Sequence, residues 1–321
     1  MKSFLSLRTS IYSAILFLGG VSIFTAYSLG ADIRYWTNDS GAKALVIEGA
    51  IEAGDAKSFI ALVKKHADVG EAYIFSSGGN YEEAIKIGRA MRSLEMSSNV
   101  PYRYSHDELL QIDRVMGSDL SSHYKSGEPV CGHISGIEPT PMDGKNCICA
   151  SACFFIHIGG ISREGNFLAV HRPYFVKGMF GKLPEVEAKK KFDALIKSSH
   201  EYMTDMGVPK SVQEDVLGTS SDEVSLLENK TIKTYFTGAI PSRYEWLKNK
   251  CSLLSDEQVA RLKELQKKGN PGSRNTNVRS ESEQEELHKL NVKNNAGENC
   301  KEVSISKSRK TAYKRYFAVK R

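Results

Sequence analysis

Outside its last 21 residues this 321-residue chain has almost no net charge. The formal charge is +6 overall, but Lys301–Arg321 holds eight Lys/Arg against one Glu, a net of +7, leaving about −1 for the other 300 residues. Nucleic-acid binding needs clustered cations, so the body is not read as a nucleic-acid binder. No internal repeat stands out, and the length is read as one large domain or two small ones. The chain has no C-x2-C pair, the spacing that structural zinc sites favour. No cofactor is implied. What remains is an ordinary globular composition, 40% hydrophobic and 26% charged. The basic end is read as solvated and partly disordered, with contact to a membrane surface or another acidic partner as the alternative.

One long stretch lacks charge altogether. Lys2 and Arg8 precede an apolar run from Ile11 to about Tyr27, and small residues follow at Ala26, Ser28, Gly30 and Ala31. That layout over residues 1–30 is a secretory signal peptide, or an uncleaved membrane anchor with its N-terminus held in the cytoplasm by the two cations. Either way the body is exported. In an oxidising compartment the six cysteines, an even number, suggest disulfides. Cys131 with Cys147 or Cys149 would clip a Gly/Pro-rich excursion, and Cys251 with Cys300 would tie the tail to the body. A metal site using Cys131, His133, Cys147 and Cys149 is the rival reading, on weak spacing.

Strands and helices alternate next. Ala44–Gly49 and Ala72–Ser76 read as strands, each followed by a helical pattern. The first helix is expected to be capped by Asp55 and to run to about His66. The second carries Ala84, Ile85, Ile87, Gly88 and Met91 at helical spacing. This order implies an α/β fold with a largely parallel sheet. Residues 100–146 read as an insertion, with a helix near Asp107–Val115. Cys149–His157 reads as the start of a buried helix, Phe167–Val170 as a strand, and Pro184–Met206 and Ser225–Tyr235 as helices. Past about Asp256 a further helix to Lys267 is expected, then disorder.

Three spots suggest chemistry. Ser77-Gly78-Gly79-Asn80 joins a strand to a helix, where bare backbone N–H groups can meet an oxyanion. A plain tight turn is the competing reading. In Cys149-Ala150-Ser151-Ala152-Cys153 the small neighbours leave Ser151 uncovered at a helix start, where a nucleophile or an N-cap would equally sit. His171 follows an apolar strand in Ala-Val-His-Arg-Pro and could face a cleft. His157, inside FFIHIGG, reads as a packed histidine.

The order strand, Gly-Gly, helix, small-Ser-small helix, strand-His-x-Pro resembles the Clp-protease/crotonase superfamily, and in particular its exported, periplasmic Clp-like members. IEGAIEAGDAKSFIALV, IFSSGGNYEEAIKIGRAMRS, CASACFFIHIGG and FLAVHRP carry the resemblance within about residues 44–240. It implies stacked ββα units over residues 31–250, interrupted by the insertion, and a charged, partly helical or disordered tail over 251–321. By the same resemblance Ser151 is the nucleophile of a serine peptidase and His171 its general base. Gly78, Gly79 and Ala152 form the oxyanion hole, and Asp215, or its rival Asp222, is the triad acid. The implied partners are a peptide or protein substrate and further copies of the chain. An exported protein meets no ATP, so the hydrolase would act without it. A non-catalytic binding or assembly module on the same fold is the second class.

Overall fold

The structure, a computed structural model, describes residues 30–38, 41–104, 107, 110, 130–132, 147–175, 181, 183–268 and 279–318. The N-terminal apolar run and most of the 100–146 insertion, including all but Asp107 and Leu110 of the helix expected near Asp107–Val115, lie outside the described residues. Among those described, no helix is long and apolar enough to cross a membrane.

The expected alternation is present. After β1 (Asp32–Thr37) come β2 (Lys43–Glu48), α1 (Asp55–Lys65), β3 (Glu71–Phe75), α2 (Tyr81–Ser93) and β4 (Ser97–Asn99). Ala44, Leu45, Val46 and Ile47 are all buried, as expected of a strand in a sheet covered on both faces. Leu45 and Ile47 join the main core under the helices, whereas Ala44 and Val46 join Tyr73 and Phe75 on the opposite face. After the short pair β5 (Tyr102–Tyr104) and β6 (Val130–Gly132) come β7 (Cys149–Ala150), α3 (Ala152–His157), β8 (Ser162–Glu164) and β9 (Leu168–Val170). The remainder is α4 (Glu185–Asp205), α5 (Lys210–Gly218), β10 (Ser225–Leu226), α6 (Asn229–Tyr235), β11 (Gly238–Ala239), α7 (Pro241–Cys251), α8 (Asp256–Lys268) and α9 (Glu281–Ala318).

The main sheet runs β1-β2-β3-β4-β8-β11, parallel from β2 to β8 with one antiparallel strand at each edge. A second sheet, β10-β9-β7, has β7 and β9 parallel and β10 antiparallel. A bridge from Ser76 to Cys149 hangs β7 on the end of β3. The fold is therefore mixed α/β, and its second sheet grows from the Ser76–Gly79 end of the first. Helices α2 and α3 meet closely at Gly88, where an added Cβ would come 2.8 Å from the Phe155 carbonyl oxygen.

Four expectations change. Asp55 is the first residue of α1, and Gly54 is its cap. The Asp55 carboxylate instead accepts the N–H groups of Ala31 and Glu52, while Glu83 accepts those of Gly54 and Ala56 at the start of α1. The segment Ser225–Tyr235 is not one helix. Its first residues pair with β9 as β10, and the Leu227 N–H reaches the Leu168 carbonyl. Cys149 and Ala150 belong to a strand, and the helix begins only after Ser151. Residues 281–318, expected to be disordered, form α9. Its buried Leu290, Gly297, Ser304 and Ala312 recur about every two turns. Beyond them Tyr313, Tyr316 and Phe317 pack on the main core. A Cys251–Cys300 disulfide ties α9 to α7, as the sequence suggested.

Candidate active site

Ser151 lies at the sharp corner between β7 and α3. Its backbone sits at φ 54°, ψ −118°, a region that costs an L-residue about 1–3 kcal/mol. Two main-chain bonds hold the corner: Ser151 N–H donates to the Ala169 carbonyl (3.0 Å), and Phe154 N–H donates to the Ser151 carbonyl (3.0 Å). The serine is half-buried between Ala150 and Ala152, and its Oγ has no hydrogen-bond partner among the described residues. A strand–turn–helix corner of this kind presents a hydroxyl outward instead of burying it in either element. Cys149 and Cys153 bracket the corner and are joined to each other. Cys149 is therefore not the partner of Cys131, whose side chain lies outside the described set; Cys147 is also disulfide-bonded.

Gly78 and Gly79 adopt φ 116° and 129°. The Gly78 α-carbon faces the serine so closely that an added Cβ would lie 3.1 Å from Ser151 Oγ. The loop is pinned to the neighbouring chain: Ile51 N–H donates to the Gly78 carbonyl (2.8 Å), and Asn80 N–H donates to the Ile51 carbonyl (2.7 Å). The two glycine amides differ. Gly78 N–H donates to Ser76 Oγ, whereas Gly79 N–H has no acceptor among the described residues. Ala152 N–H, at the first position of α3, is also without an acceptor there, as helix geometry dictates.

His171 follows β9 directly. Because Ala150 pairs with Ala169 and the Ser151 N–H reaches the Ala169 carbonyl, Ser151 and His171 occupy adjoining ends of two parallel strands. Neighbouring strands lie about 4.8 Å apart. The histidine is buried, and its Nδ1 is 2.9 Å from the Arg172 carbonyl oxygen. A carbonyl can only accept, so Nδ1 carries the proton and donates it, leaving the Nε2 lone pair as the basic site of the neutral ring. Ser151 Oγ and His171 make no direct hydrogen bond with each other.

Neither expected acid meets this imidazole. Asp215 is exposed on α5, and it is its main-chain carbonyl that accepts Thr219. Asp222 is exposed and bonded to Ser220, whose hydroxyl is the main reason its carboxyl is held below the usual range. The segment does come close: Arg172 N–H donates to the Thr219 carbonyl (3.1 Å), and the Arg172 charge adds a smaller downward pull on Asp222. The orienting group sequence reasoning missed is thus the Arg172 main chain. It also missed the pairing of Cys149 with Cys153, for which the four-residue spacing around Ser151 was the available signal.

The far end of α3 is fixed by two arginines. Arg163, buried and with no carboxylate partner among the described residues, donates to the carbonyls of Ile158 (2.5 Å), Met206 (2.8 Å) and Gly160 (3.3 Å). Arg92 donates to those of Ile158 (2.9 Å) and Gly159 (3.1 Å). Burial, and then the charge of Arg92, push Arg163 below its ordinary pKa. Cations suit these clustered carbonyls, where α3 ends and α4 ends beside it. His157 is the packed histidine expected, fully buried with Nδ1 2.8 Å from Ser98 Oγ.

Compared with known proteins, the chain matches no family model and no curated protein sequence. Among solved structures it is similar to a mutant form of 1510-N, described as a membrane-bound stomatin-specific protease, at 15% identity and a TM-score of 0.34. That match covers 64% of this chain and 82% of the other.

Proposed function

We propose that this chain is an ATP-independent serine hydrolase with a Clp-protease/crotonase-like arrangement of stacked ββα units, acting on peptides or proteins after export. The observation that carries the reading is the strained Ser151 corner, set against Gly78 and beside the strand end that delivers His171. In the mechanism, Ser151 Oγ attacks the substrate carbonyl while His171 Nε2 takes its proton, then returns it to the leaving group. The oxyanion is received by the N–H groups of Gly79 and Ala152. Gly78 contributes room instead of a donor, because its N–H is engaged with Ser76. The Arg172 carbonyl holds the imidazole tautomer, the orienting part of a triad acid's task.

A peptide suits the surroundings. β10 forms one edge of the second sheet, two strands from Ser151; Leu226 in it and Val224 just before it are exposed. An extended peptide can add to such an edge through main-chain hydrogen bonds. Export by residues 1–30 belongs to the same proposal, supported by the Cys149–Cys153 and Cys251–Cys300 disulfides. Assembly with further copies of the chain and contact of the basic tail with membrane belong to the same proposal.

The test is a fluorophosphonate probe applied to the folded protein, Ser151→Ala and His171→Ala. Labelling of the wild type alone, at Ser151, is expected. A binding module on the same fold is the second reading, favoured by the lack of a direct Ser151–His171 bond and, among the described residues, of a carboxylate on His171. A folded wild type that resists the probe would establish it.

A further inference from the structure

We infer that Cys149 and Cys153 are positioning residues for Ser151: their disulfide holds the serine at its corner, so the site is competent only once the two thiols have been joined by exchange with a disulfide oxidant, which is itself reduced to two thiols. This rests on reading Ser151 as the nucleophile.

The geometry is specific to this bond. Cys149 begins β7 and is paired on both sides, to Ser76 and to Leu168. Cys153 is the second residue of α3, and the two α-carbons lie 5.2 Å apart. An extended chain would separate residues four apart by about 13 Å, so β7 cannot run on past Ala150 while the bond is closed. The chain must fold back within five residues (149 to 153), and Ser151 is the middle one. Without the bond, the corner would be opposed by the strain at Ser151 and held by two main-chain hydrogen bonds of comparable worth. The covalent link adds to the packing of buried Phe154, Phe155 and Ile156 and fixes where the chain turns. Both sulfurs are fully buried, so the bond resists reduction until the corner opens. Cys251–Cys300, which ties together two helices of the C-terminal segment, offers no such constraint on the site.

Reduction is a balanced exchange with a dithiol. One thiolate of the reagent attacks a cystine sulfur, its second thiol resolves the mixed disulfide, and Cys149 and Cys153 leave as thiols while the reagent becomes a cyclic disulfide.

The experiment compares fluorophosphonate inactivation of wild type, the double variant Cys149→Ala/Cys153→Ala and the double variant Cys251→Ser/Cys300→Ser. The maximal inactivation rate of the first variant should fall about a hundredfold, with probe affinity nearly unchanged, as displacement of a reacting group by about 1 Å produces. The second variant should retain both values. Wild type reduced with dithiothreitol should lose the rate and recover it on reoxidation, which covers the case in which the alanine pair does not fold. An inactivation rate in the first variant, or in reduced wild type, within about threefold of oxidised wild type would overturn the inference while leaving the hydrolase intact. Should wild type itself resist the probe, the hydrolase reading fails, and amide exchange across residues 148–158 decides the positioning claim. Exchange at least tenfold faster after reduction supports a bond that holds the corner, and unchanged exchange refutes it.

Discussion

Replacing Gly78 by alanine should disable Ser151 more than it destabilises the fold. Two effects combine at this position. The backbone sits at φ +116°, where a side chain costs about 1–3 kcal/mol. The new Cβ would also lie 2.6 Å from Ser151 Cβ and 3.0 Å from the Ala150 carbonyl oxygen, where ordinary contact begins at 3.4 Å. About 0.8 Å must be relieved, and a closely packed interior passes it on to whatever can move. Ile51 pins the loop from behind through its bonds to Gly78 and Asn80, so the displacement falls on the serine corner. Gly49→Ala is the matched control, because Gly49 sits at φ +96° with nothing within 4 Å of its added Cβ. Urea unfolding should show both variants destabilised by about 1–3 kcal/mol. Fluorophosphonate kinetics should separate them: about a hundredfold loss for Gly78→Ala and little change for Gly49→Ala. A folded Gly78→Ala that labels within about threefold of wild type would refute the reasoning from the placement of Gly78 against Ser151. Equal losses in both variants would show that strain, and not displacement, is responsible.

Two further outcomes follow from the same geometry. Burial, and secondarily the Arg163 charge, push His157 down to about 3 in the folded protein. The unfolded chain binds this proton near 6.5, so stability is intact above that pH and falls as pH drops toward 3, by about 1.4 kcal/mol per unit. Urea unfolding at pH 7 and pH 5 should therefore show a loss of about 2 kcal/mol that is missing in His157→Asn, and an unchanged loss in that variant would assign the proton elsewhere. Asp215→Asn and Asp222→Asn should each leave the labelling rate within about threefold of wild type, because His171 Nδ1–H is already given to the Arg172 carbonyl. A drop of a hundredfold or more in either would restore that carboxylate as the orienting acid.

What could be read from the chain depended on whether the cause was local. β2 and β3 announce themselves because a strand buried on both faces must be apolar throughout, and Ala44–Ile47 and Ala72–Phe75 are. Ser225–Tyr235 did not, because β10 exists only through its pairing with β9. Asp55 looked like a cap, but the distant N–H of Ala31 and the nearby N–H of Glu52 claimed its carboxylate and Glu83 took over the start of α1. The C-terminal segment looked disordered because Lys, Glu, Ser and Asn dominate it. What orders α9 is a sparse stripe of Leu290, Gly297, Ser304 and Ala312 against a surface built elsewhere. At the site, Ser151, Gly78 and His171 are side-chain or glycine requirements and so leave a mark in the sequence. The partner of His171 leaves almost none, since every residue supplies a carbonyl and a search for an acid looks past it. Its one trace is Pro173. The proline ring restricts Arg172 to extended conformations, which limits where the Arg172 carbonyl can point. Orienting an imidazole this way takes only a residue of any kind held in place by the proline after it. That is why the His-x-Pro pattern, rather than either aspartate, carried the information about how the imidazole is held.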